Sequence, residues 1–144
     1  REGAKVFVDT DVLVYAHDVD AGRKHRLAAA LVTELWESRQ GVVSTQVLQE
    51  LYVTVTRKIA KPLALRRARE LVEAYAAWDV TPIDARDLLH ASAIEEQHKL
   101  SFWDALILAA AKKSGATRVV SEDLNAGQRI EGVRVENHFT KARD

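Results

Sequence analysis

The chain of 144 residues contains no cysteine. That absence excludes disulfides, thiolate metal sites such as zinc ribbons, and cysteine nucleophiles. It agrees with a cytoplasmic protein, where disulfides are rare. Methionine is absent too, even at the first position, Arg1, so a trimmed natural N-terminus is expected. Long apolar runs are missing: the longest uninterrupted one, Ala105 to Ala111, is far below the roughly 20 residues that cross a bilayer. No signal-peptide pattern opens the chain, only Arg1-Glu2-Gly3 leading into an expected strand. There is no excess of either charge, with 21 basic and 21 acidic residues. Nucleic-acid binders ordinarily carry a basic surplus, so this balance counts against RNA. A clustered acidic site, however, hides basic surface from a whole-chain count.

What is present is 47% hydrophobic and 29% charged residues, the composition of a globular protein with a real core. No linker, internal repeat or low-complexity segment divides the chain, so residues 1–144 are expected to form one domain. Short apolar runs alternate with stretches of helical period. Lys5 to Val8, Gly41 to Ser44, Trp78 to Thr81 and Thr117 to Val120 are expected strands, with Val133 to Val135 a last edge strand. Pro82 closes the third because it cannot donate a ladder hydrogen bond.

Helical stripes fill the intervals. They run Leu27, Ala28, Leu31, Val32, Leu35 and Trp36; Val47, Leu48, Leu51 and Val55, ending near Lys61-Pro62; and Leu65, Ala68, Leu71, Val72 and Tyr75. Asp84 to Gln97 presents Leu88, Leu89 and Ala93, and Trp103, Leu106, Ile107, Ala110 and Ala111 form the most regular stripe, stopped by Gly115. Strands alternating with helices predict an α/β protein with a mostly parallel sheet covered on both faces.

Four short acidic motifs fall where such a fold brings side chains together: Val8-Asp9-Thr10-Asp11, Gln49-Glu50-Leu51, Phe102-Trp103-Asp104-Ala105 and Ser121-Glu122-Asp123-Leu124. Asp9 ends the first strand and Asp123 follows the fourth, at the carboxyl edge where open α/β sheets bind ligands. Each has an ordinary structural role available as well, as a turn or N-cap residue. Glu50 borders an apolar helical stripe, with Arg57 as a conceivable ion-pair partner. Ser101 to Asp104 fits a capping box, with Ser101 at the N-cap and Asp104 at N3. Convergence of all four is the stronger reading.

Clustered carboxylates repel one another, and a hard divalent cation relieves the repulsion. The five histidines show no His-Glu-x-x-His spacing, which argues against a zinc hydrolase. An all-oxygen donor set suits one or two Mg²⁺ or Mn²⁺ ions, which activate water for attack on a phosphodiester and offset charge on the departing oxygen. Asp9, Glu50, Asp104 and Asp123 are the expected catalytic carboxylates and metal ligands, with Thr10, Asp11 and Ser121 as supporting groups.

Phe7-Val-Asp-Thr-Asp-Val-Leu-Val-Tyr15, Ser44-Thr-Gln-Val-Leu-Gln-Glu50, Ser101-Phe-Trp-Asp-Ala105 and Ser121-Glu-Asp-Leu124 together resemble the PIN-domain ribonucleases, especially VapC-type toxins of bacterial toxin–antitoxin pairs. The resemblance runs in order from about Val6 to Phe139. It implies a PIN-like three-layer α/β/α sandwich and an endoribonuclease dependent on Mg²⁺ or Mn²⁺. It also implies inhibition by a cognate antitoxin protein, and a homodimer. The family's acidic quartet carries over to Asp9, Glu50, Asp104 and Asp123, with Ser121 at its small hydroxyl position. Asp11 is a departure, because the family more often has asparagine or serine there. An added acid either raises metal affinity or distorts the site by repulsion.

Two alternatives compete. Asp9-Thr10-Asp11 after a strand also resembles the first motif of haloacid dehalogenase-like phosphatases, with Asp9 as nucleophile and Asp11 as general acid. That leaves Glu50 and Asp104 without a role. The other alternative is a PIN-like scaffold that has lost catalysis and acts through protein contacts. The basic run Arg57, Lys58, Lys61, Arg66, Arg67 and Arg69 is expected to be a solvated helical surface in preference to an RNA grip, and Trp36, Trp78 and Trp103 are expected in the core.

Overall fold

The computed structural model of the protein describes residues 4–140, so the expected path of Arg1-Glu2-Gly3 into the first strand lies outside the described residues. β1 (Val6–Val8) is buried at every position, as befits a β-branched and aromatic run covered on both faces. The chain then turns directly into α1 (Thr10–His17), passes a 3₁₀ turn (Val19–Ala21), and continues through α2 (Arg23–Ser38), β2 (Gly41–Ser44), α3 (Thr45–Arg57) and α4 (Leu65–Tyr75). β3 (Asp79–Thr81), α5 (Ala85–His98), α6 (Phe102–Ser114), β4 (Arg118–Val120), β5 (Arg129–Ile130) and β6 (Val133–Glu136) complete the described residues.

The strands form one sheet in the order β3-β2-β1-β4-β6-β5, parallel except for the β5–β6 pair. α6 lies across β2, β3, β4 and β6 with α5 packed on it, while α1, α2, α3 and α4 form the second helical layer. This is the expected α/β/α sandwich. β1 runs beside β2 on one side and β4 on the other, and the chain must leave β1 in one direction and return in the other. That reversal opens a crevice at the carboxyl ends of β1 and β4.

Local signals explain the boundaries. Ser44 accepts a hydrogen bond from the Val47 amide and caps α3, and Ser101 accepts one from the Asp104 amide and caps α6. Asp84 and Asp87 form a reciprocal capping box that starts α5. Gly115 ends α6 with φ of 83°, a left-handed conformation that favours glycine. At the opposite end of the sheet Gly41 leaves room for the Trp78 ring, because a Cβ at Gly41 would lie 2.5 Å from it. Trp78 in turn joins Tyr75 and Trp36, with ring centroids 5.0 to 5.7 Å apart.

Several expectations need correction. Trp78 is buried, but Trp36 and Trp103 are 40% and 62% exposed: Trp36 covers the rim of its aromatic cluster, and Trp103 stands outside the apolar face of α6. Leu88, Leu89 and Ala93 do not face the core, because Asp87, Ala91 and Ile94 occupy the inward face of α5. Leu65 is likewise exposed, at the first turn of α4. β6 is not the edge strand, since the two-residue β5 pairs outside it. α3 stops at Arg57, short of Pro62. The basic side chains from Arg57 to Arg69 are all exposed, as a solvated surface requires.

Candidate active site

Asp9 leaves the end of β1 and is the N-cap of α1, its Oδ1 accepting a hydrogen bond of 2.7 Å from the Thr10 amide. Capping and placement at the sheet's ligand edge are therefore the same event. Ser121, just past β4, donates 2.8 Å to Asp9 Oδ2, tying together the two strands that flank the crevice. The same Ser121 oxygen accepts from the Asp123 amide at 3.1 Å, which shapes the turn bearing Asp123. Glu50 comes from α3. Its Oε1 accepts from Thr10 Oγ1 at 2.7 Å and its Oε2 from Gln46 Nε2 at 3.2 Å, so both oxygens are held, and not by Arg57. Asp104 enters from the first turn of α6, where Ser101 Oγ accepts a hydrogen bond of 3.1 Å from its amide.

These side chains line one cleft of about 440 Å³. Asp9, Asp11, Glu50, Asp104 and Asp123 all face it, together with Thr10, Gln46, Lys58 and Trp103. The structure thus brings together the whole expected quartet, with Thr10 and Asp11. Ser121 stands behind Asp9, fully buried.

The electrostatics follow from the company these acids keep. Burial pushes Asp9 up to about 6, against the pull of the Ser121 and Thr10 hydrogen bonds and with a further push from the charges of Glu50 and Asp123. Asp11 is pushed up to about 8, first by burial and then by Asp9 and Asp123. Asp104 is raised too, by burial first and by Asp123 and Glu50 after it. Among the described residues, the trio with oxygens within 4.8 Å of one another is Asp11, Glu122 and Asp123. Glu122 is already engaged, however. Tyr15 donates to its Oε1 at 2.7 Å and Lys24 pairs with Oε2, holding Glu122 below its ordinary range despite partial burial.

The donor set fits a hard divalent cation. It is all oxygen, its members repel one another, and Asp11 Oδ1 is a buried atom with no hydrogen-bond partner among the described residues. Asp11 Oδ2 accepts from the Glu122 amide at 3.1 Å, so the added acid also anchors the turn that carries Asp123.

Sequence reasoning missed Gln46, Glu122, Tyr15 and Lys24. Gln46 left a trace, since it stands four residues before Glu50 and therefore on the same helical face. Tyr15 and Lys24 meet Glu122 from about a hundred residues away, and no spacing rule reaches that far.

A sequence profile of the PIN domain matches residues 6–129. Ribonuclease VapC23 of Mycobacterium tuberculosis is 33% identical over 126 residues, covering 82% of this chain and 92% of that protein. The crystal structure of Mycobacterium tuberculosis VapC20, described as a Sarcin-Ricin loop cleaving toxin, superposes with a TM-score of 0.60 at 22% identity, covering 80% of this chain and 87% of its own. DNA-bound VapBC from Salmonella typhimurium gives 0.65 at 20% identity, over 94% and 98% of the two chains. The chain belongs to the PIN-domain family, in its VapC-type branch. That membership favours neither the haloacid dehalogenase-like phosphatase nor the inactive scaffold. Among the described residues no helix is long and apolar enough to cross a membrane.

Proposed function

We propose that this protein is a metal-dependent endoribonuclease, a single PIN domain acting in the cytoplasm as the toxin of a toxin–antitoxin pair. The observation that carries it is the convergence of five carboxylates on one cleft at the β1/β4 switch point, in a chain whose relative at 33% identity is a ribonuclease. Structural neighbours solved as toxin–antitoxin complexes support an antitoxin partner, and a homodimer follows from the family resemblance.

Asp9, Glu50, Asp104 and Asp123 would hold Mg²⁺ or Mn²⁺, with Asp11 adding a fifth carboxylate. The bound cation supplies charge neutralisation, an activated water and stabilisation of the departing oxygen. The chain's own residues set the geometry. Ser121 and the Thr10 amide fix both oxygens of Asp9, while Thr10 Oγ1 and Gln46 fix both oxygens of Glu50. Tyr15 and Lys24 keep Glu122 out of the ligand set and steady the turn of Asp123. In the overall hydrolysis a water oxygen bonds to phosphorus, the bond to the leaving ribose oxygen breaks, and that oxygen takes up a proton.

The test is cleavage of a structured RNA pool by purified protein with Mn²⁺ or Mg²⁺, against chelator and Asp9→Asn. Loss of cleavage in both controls is expected. Cleavage that survives Asp9→Asn would remove the site from this cleft. Absence of RNA cleavage, with hydrolysis of a small phosphate ester, would return the phosphatase.

A further inference from the structure

The carboxylates account for the floor of the cleft, but they repel the substrate assigned to it, since RNA is a polyanion. Whatever grips the RNA must come from the other lining groups. Two of these are unlike the rest. Trp103, the residue before Asp104, is 62% exposed, whereas the residues after Asp104 on the same helix, Ala105 to Ala111, are all buried. Among the described residues its one ring neighbour is Phe102, met edge-on at 5.3 Å, which leaves the indole without a stacked partner there. Lys58, at the end of α3, is the cation lining the cleft; it is exposed and makes no ion pair among the described residues. So exposed a tryptophan contributes little to the core.

Resting on the ribonuclease assignment, we propose that Trp103 is a stacking platform for an unpaired nucleobase next to the scissile phosphate, and that Lys58 holds a neighbouring phosphate. A base has an uncharged π face, so stacking draws RNA toward the cleft without adding to the charge conflict. A platform of this kind needs a base splayed out of a helix, so the preferred substrate is a loop, bulge or single strand. It sits next to Asp104 in the chain, so it registers the base against the acid cluster through one helical turn. Lys58 is the first basic residue to reach the cleft from the exposed run that continues to Arg69, and it gives the phosphate backbone its way out.

The decisive comparison is Trp103→Leu against Trp103→Phe on a single-stranded oligoribonucleotide, with Mn²⁺ present. Because the side chain is exposed, neither change disturbs the core. Trp103→Leu is expected to raise KM about ten- to a hundredfold with kcat little changed, and Trp103→Phe to recover most of the loss. Independently, an oligouridylate added in chelator should quench tryptophan fluorescence of the unmodified protein and not of Trp103→Phe, with Trp36 and Trp78 as the constant background. Lys58→Ala should lower the salt slope of that binding by about 0.7. Cleavage by Trp103→Leu with an unchanged KM overturns the platform and leaves the ribonuclease standing; a ring that serves a protein partner gives this result. Quenching at Trp103 without cleavage by the unmodified protein supports the platform and removes the ribonuclease. Neither quenching nor cleavage overturns both.

Discussion

Asp9 and Asp87 are each 7% exposed, yet their carboxyls are shifted in opposite directions. Asp9 is met by two neutral donors, the Thr10 amide and the Ser121 hydroxyl, and by the charges of Glu50 and Asp123, so it is pushed up to about 6. Asp87 feels burial too, but Lys113 pairs with it at 2.8 Å and the Asp84 amide donates to it at 2.8 Å, which brings it below its ordinary range. At α5 a buried acid caps and ties a helix. In the cleft five acids are gathered with Lys58 as the cation of the lining, a concentration of like charge that an incoming cation would relieve. The difference lies both in what surrounds the carboxylate and in how deep it sits: Asp9 is enclosed in the interior, whereas Asp87 lies near the surface under the Lys113 side chain.

That contrast breaks most sharply at Glu50. Glu50→Gln should lower RNA cleavage per folded molecule by more than about a hundredfold, since a metal ligand contributes several kcal/mol to the transition state. The same change removes a repelling charge, so the melting temperature measured in chelator should not fall. Preserved cleavage with a lower melting temperature would put Glu50 in the class of Asp87.

Asp11 comes next. Its raised value, like that of Asp9, favours the folded state fully below the ordinary aspartate range near 4. This contribution is lost as pH rises through about 6 for Asp9 and about 8 for Asp11. Asp87 runs the other way, contributing above the ordinary value and losing its contribution as pH falls through its lowered one. In chelator at pH 8, Asp11→Asn should therefore stabilise the protein on the order of 2 kcal/mol and flatten the loss of stability between pH 4 and 8. Denaturant titrations across that range check it, and an unchanged slope would show that Asp11 finds relief elsewhere. Asp84→Ala should have the smallest effect. Losing the cap of α5 lowers stability by about 1 kcal/mol and leaves cleavage per folded molecule unchanged; a fall in cleavage would mean that α5 communicates with the cleft.

The quartet was legible because each acid lies beside a local signal: a strand end for Asp9 and Asp123, a capped helix start for Asp104, an apolar stripe for Glu50. The strands of the sheet were legible for the same reason, except the two-residue β5, which has no pattern of its own and pairs with β6 across a tight turn. Helix faces were read less well. On α5 the apolar pair Leu88-Leu89 suggested the inward side, but the capping box and the Lys113 pair turn Asp87 inward and leave both leucines in solvent. Trp103 was misread for a related reason. Hydrophobic side chains default to the core, and a periodic stripe cannot tell the core from the lip of a cleft.

Periodicity, capping residues and strand-terminal acids, all set by a few neighbouring positions, determine the alternation of strands and helices and nominate the carboxylates. The sheet order, the β1/β4 crevice and the partners of each acid are decided only when distant segments meet. Ser121 reaches Asp9 across 112 positions, Tyr15 reaches Glu122 across 107, and Thr10 reaches Glu50 across 40. A carboxylate's charge state depends on burial and on neighbours within a few ångströms, and neither quantity exists until the chain has folded.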